Sequence, residues 1–157
     1  MTALLAGQVD AWAGLDPHMA KAELDAGAQL IFRRPEWNTF GFLNVLESFA
    51  QEHPDVVERV LAQYERGRQW VLANPDETVR ILSEVSGVSV PVAERVLEER
   101  SAFPDPVPGE EHAEVLRGIV PILKKEELVP ADADLEAAIE ALIEPAFAER
   151  VLAEAGS

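Results

Sequence analysis

The chain has 157 residues, room for one domain with a sizeable core and little for two, and its 48% hydrophobic and 27% charged residues mark it as globular rather than disordered. It carries 29 Asp and Glu against 13 Lys and Arg, a formal net charge of -16, which argues against nucleic acid and anionic membranes as partners because both reward clustered Lys and Arg. No cysteine is present, which removes disulfides, thiol catalysis and Cys-ligated zinc or iron–sulfur sites. At the start of the chain, Thr2 to Ala6 reads as a short helix closed by Gly7. Val9 to Ala13 is an apolar run of strand length. Asp16-Pro17 then offers a helix cap and a first-turn proline, and the helix it opens reaches the vicinity of Asp25 and stops at Gly27. Ala28 to Phe32 (AQLIF) and Phe40 to Leu46 (FGFLNVL) are two further strand candidates, separated by the polar loop RRPEWN.

The remainder reads as helix. Val57, Val60, Leu61, Tyr64 and Val71 share one face of a helix that starts near Pro54 and ends at Asn74-Pro75. The next segment takes Asn74 as its cap, Asp76 and Glu77 near the positive end of the helix dipole, and Gly87 as terminator. A third helix follows with Ser89 as cap, and Ala102 to His112 is an irregular connection with three prolines. Glu110 to about Lys125 is helical, with Pro121 expected to kink it or end a segment. A further helix spans Asp132 to Ile143, and Ala146 to Ala155 completes the series. Three strands are few for so much helix, since sheets commonly hold about five or six.

Catalytic signatures are missing. His18, His53 and His112 are far apart, with no pair at a metal-ligand spacing, and Glu110 to Glu114 (EEHAE) fits the acidic first turn of a helix better than a metal cluster. No Gly-rich phosphate loop, GxSxG elbow or nucleophile–base pair is present, so neither an enzyme nor a cofactor or metal site is expected. No apolar run approaches the ~20 residues of a spanning helix, and MTALLAGQVDAW lacks the features of a secretory signal.

ALLAGQVDAWAGLDPH resembles a segment of the substrate-binding proteins of ABC importers, in the aliphatic sulfonate, taurine and nitrate branch. The run from Phe42 through HPDVVERVLAQYERGRQWVLANPDETVRILSEVSGVS and the ending EELVPADADLEAAIE are similar to the helical regions that follow in that family. The resemblance implies an α/β chain, the C-terminal part of a type II periplasmic-binding-protein fold. A few strands at its N-terminal end would lead into a mostly helical remainder. Residues 1–15 would then end the second lobe and cross over, and 16–157 would belong to the first. It also implies solute capture for an ABC importer, with a small sulfonate-like organic anion as ligand. The partners would be a membrane permease and a missing N-terminal lobe, in a periplasmic or extracellular setting, with lipid or membrane association an option.

Short strands of open α/β sheets deliver side chains to a ligand at their carboxyl ends. The candidate ligand contacts are therefore Trp12 and Asp16, and the resemblance adds Asn38 and Thr39, which precede the third strand candidate at a place similar to a cleft-facing loop. Each has a plainer reading: Trp12 as a core residue, Asp16 as a helix cap, Asn38 and Thr39 as ordinary turn polarity. Asp10 is read as a strand-end residue and Arg33-Arg34 as a solvated pair able to attract an anion. Leu15 stands where the family often has Trp. Two other functions stay open: binding or making a thiamine pyrimidine precursor, as other members of the superfamily do, and a free-standing acidic helical interaction module. Uncovered sheet edge and apolar helix faces would favour self-association. The chain alone is expected to bind ligand weakly or not at all.

Overall fold

The computed structural model describes residues 1–35 and 40–155. Among them are nine helices and no strand: α1 (Thr2–Leu5), α2 (His18–Ala26), α3 (Glu47–Glu52), α4 (Pro54–Ala73), α5 (Pro75–Ser86), α6 (Val90–Glu99), α7 (Glu110–Lys125), α8 (Leu135–Leu142) and α9 (Ala146–Ala155). The α/β expectation is therefore corrected. Val9 to Ala13, Ala28 to Phe32 and Phe40 to Leu46 form no ladder in the chain. Apolar, β-branched and aromatic residues register burial on a pleated surface, but a strand exists only when another strand supplies its hydrogen bonds. These runs remain irregular and partly exposed, with Ile31 80% and Phe32 60% accessible.

Helix boundaries follow local chemistry. Gly7, Gly27 and Gly87 take positive φ of 66°, 68° and 65°, ending α1, α2 and α5 as their sequence positions suggested. Asn74 serves differently from expectation. Its side-chain amide donates to the Trp70 carbonyl at 2.8 Å, closing α4, while the Thr78 hydroxyl donates to the Asn74 carbonyl at 2.8 Å at the start of α5. Ser89 stands at the N-cap position of α6 without a side-chain capping bond. Asp134 does cap: its Oδ1 accepts from the Ala137 amide at 3.0 Å, opening α8. Helix α7 runs on through Pro121 to Lys125. The short α3, set off from α4 by His53 and Pro54, had no counterpart in the sequence reading.

The chain divides into two compact units. The first comprises Met1–Arg34 and Arg68–Pro104. There α6 packs against both α2 and α5, and the core is built from Ala20, Val79, Val88, Val92 and Ala93, with Leu82, Val96 and Leu97 packed against it. Ala20 on α2 and Ala93 on α6 are both fully buried in that core. The second unit comprises Pro35–Gly67 and Asp105–Ser157, in which α7 packs on α8. Arg117 on α7 reaches Glu136 on α8 at 2.7 Å and also pairs with Glu110, while Arg150 on α9 meets Glu58 on α4 at 2.6 Å. Among the described residues, Val92 is the largest side chain that is fully buried.

Candidate functional site

The segment from Val9 to Asp16 belongs to the first unit and is largely exposed, with the Trp12 side chain turned back over the local chain. A Cβ placed on Gly14 would overlap the six-membered ring of Trp12, so the half-buried indole covers the Gly14 backbone and would have to move for any larger residue. Two residues on, Asp16 precedes α2. Its Oδ1 accepts from the Ala20 amide at 3.1 Å, which satisfies one of the unpaired donors of that helix's first turn. Asp16 thus satisfies a first-turn donor as read from the sequence, but from one residue further out: Pro17, expected inside the first turn, holds the N-cap position and α2 begins at His18.

The same oxygen accepts a second, longer-range bond, from Arg100 Nη1 at 2.9 Å. Arg100 Nη2 donates to Glu23 on α2. The arginine side chain is only 5% exposed, and those of Asp16 and Glu23 are 17% and 20% exposed. One guanidinium therefore bridges two carboxylates and ties the start and the body of α2 to the end of α6. Arginine suits this place because its planar fork presents donors to two acceptors at once. Loss of hydration pulls its pKa down, but the hydrogen bonds it donates to Glu23 and Asp16 and their negative charge outweigh that pull and hold it above the ordinary value.

Arg100 is the residue that sequence reasoning missed. It lies 84 residues from Asp16 and 77 from Glu23 along the chain. One signal was available: Arg100 follows Val92, Ala93 and Val96 on the same helical stripe, the stripe that faces the core. A charge at the end of a buried stripe needs a partner.

Of the four candidate contacts, Trp12 and Asp16 both belong to the first unit, with Asp16 engaged by Arg100 and Ala20. Asn38 and Thr39 lie outside the described residues. Asp10 is exposed, as are Arg33 and Arg34, and the Arg34 guanidinium lies 5.8 Å from the centre of the Phe32 ring. His18 and His53 are exposed, with the His53 ring 4.9 Å from that of Phe49. His112 sits against Phe40 at 4.2 Å and Phe42 at 5.9 Å, and its Nδ1 accepts from the Gly109 amide at 3.1 Å. Among the described residues no group of three or more His, Asp or Glu is placed to hold a metal ion, and no helix is long and apolar enough to cross a membrane.

No protein-family model matches the chain, and no solved structure matches it significantly. Over 93 residues, 58% of the chain, it is 29% identical to a Bacillus subtilis (strain 168) protein described as a "putative aliphatic sulfonates-binding protein". The aligned stretch covers 28% of that protein, so the chain matches less than a third of its relative's length. The chain is thus linked, at low identity, to the solute-binding proteins that its sequence resembles.

Proposed function

We propose that the chain serves solute capture for an ABC importer, contributing to a binding protein for sulfonates or similar small organic anions outside the cytoplasm. The observation that carries this reading is the 93-residue similarity to a sulfonates-binding protein, found for a chain whose opening run carries the same family resemblance. The chemistry is non-covalent. Trp12 offers an apolar face and one N–H donor, and Asp16, steadied by Arg100, holds the local chain in place for that contact. Asn38 and Thr39 would add hydrogen bonds. Further polypeptide completes the site, and closure around the ligand is what a membrane permease would read.

Growth on different sulfur sources tests the reading. Deleting the gene should abolish growth and labelled-solute uptake on taurine and short alkanesulfonates while leaving growth on sulfate intact. Unchanged uptake of every sulfonate in the deleted strain would overturn it. In calorimetry the chain by itself is expected to give no saturable heat with taurine below the millimolar range, where each ligand contact is worth little without its neighbours. Micromolar saturation would show that the chain needs no further polypeptide.

A further inference from the structure

Within the first unit, the end of α4, helices α5 and α6 and the strap at Phe103 enclose an open groove of about 360 Å³. Its floor is apolar, with Leu72, Val90, Leu97 and Phe103 exposed into it to different degrees. Arg68 Nη1 donates to the Phe103 carbonyl at 3.3 Å, which fastens the strap to α4. The rim is acidic: Asp76 from α5, and Glu94 and Glu98 from α6, are exposed and form no ion pair with any described residue. Arg80, the base among the lining residues, is already held by Glu77 and Glu84, and Arg68 beside them is engaged by the Phe103 carbonyl.

We infer that this groove docks a basic amphipathic helix of a partner protein. Three properties select that occupant. The negative rim and the neutralised Arg80 repel anions, so the groove cannot be the sulfonate site and the inference stands apart from the solute-capture reading. The carboxylates are spread along the rim, and among the described residues none belongs to a cluster fit for a metal ion, so a distributed positive charge matches them better than a compact cation. On α6, Val90, Glu94, Leu97 and Glu98 repeat at the spacing of one helical stripe, and a second helix laid along it would seat apolar side chains on Val90 and Leu97 with Lys or Arg beside the glutamates. A second copy of this chain is a poor occupant, because its net charge of -16 would set acid against acid.

The test uses the full chain and a fluorescently labelled amphipathic Leu/Lys helical peptide, read by anisotropy. Saturable binding that weakens as salt rises is expected. Substituting Glu94→Lys and Glu98→Lys together, both at exposed positions, should weaken it at least tenfold, an effect of the size expected for reversed charges facing a complementary ligand. Leu72→Ser, at a half-exposed floor position, should weaken it without altering the rim charge and serves if the double variant fails to fold. Equal affinity for oligolysine of the same charge, or for a Leu/Glu peptide, would overturn the inference. So would unchanged affinity in both variants. If the double variant turned an assembled chain into a monomer, the occupant would be a second copy and the inference would likewise fall.

Discussion

Arg100 concentrates more of the first unit's electrostatics than any surface pair, because its partners are half-buried and its own head is nearly shut from water. Truncating it strands two carboxylates in a region where their hydration is reduced. Arg100→Ala should destabilise the chain by about 3 kcal/mol in urea unfolding, the lower end of the range for removing one partner of a buried ion pair. An ammonium presents its three donors from one nitrogen and lacks the planar fork that sets Nη1 and Nη2 on separate carboxylates, so Arg100→Lys should recover less than half of that loss. A change below about 0.5 kcal/mol for Arg100→Ala, the scale of an ordinary surface substitution, would show that the bridge contributes little. Gly14 is a steric counterpart. In a chain whose other two tryptophans, Trp37 and Trp70, are replaced by Phe, Gly14→Ala should expel the Trp12 ring toward water and shift its fluorescence to the red. An unshifted spectrum would mean that the indole does not rest on that backbone.

The helices differ in what ends them and in what holds their first turns. In α7 the His112 imidazole accepts the Gly109 amide while packing on Phe40 and Phe42, so His112→Ala removes both a cap and an aromatic contact. The expected cost is about 1 kcal/mol in thermal or urea unfolding, the usual value of a lost N-terminal cap, and His112→Asn should restore part of it by keeping an acceptor. In α5, the hydrogen bond from Arg80 holds Glu77 below the ordinary carboxylate range, outweighing the opposing effect of burial. A carboxylate with a depressed folded pKa contributes stability above its unfolded value near 4, and that contribution is lost as pH falls through the lower folded value. Glu77→Gln should therefore melt below the parent at pH 7, and the gap should close as the pH is taken below about 4. The capping glycines and the acidic first turns of α5 and α7 were legible because each is a short-range pattern. The stripe read on α4 is corrected: Val60 and Tyr64 are 42% and 64% exposed, whereas Glu65 is buried, because which face of a helix is covered depends on what packs against it. The double duty of Asn74 was not: the same amide can serve the helix before it or the one after, and only the placement of Trp70 decides. The α3 break was hidden by FLNVLESFAQE, whose apolar residues suit a strand and a helix alike.

At the scale of the whole chain, little apolar surface is removed from water. Leu15, Ile31 and Leu46 are 79%, 80% and 76% exposed, and all three lie in irregular stretches that carry few charges. Self-association through these stretches is the expected outcome, read by sedimentation as species heavier than the 17.2 kDa chain. A monomer at high concentration would count against it. What could be read from the residues alone was what the residues can do alone. A helix satisfies its backbone within itself, so its span, its caps and its apolar face follow from neighbours three or four positions away. Whether Val9 to Ala13 or Ala28 to Phe32 became strands, and which cation would meet Asp16, were decided by residues remote in the chain. A ladder and an ion pair both need a second party, and only the folded arrangement says whether that party has come within reach.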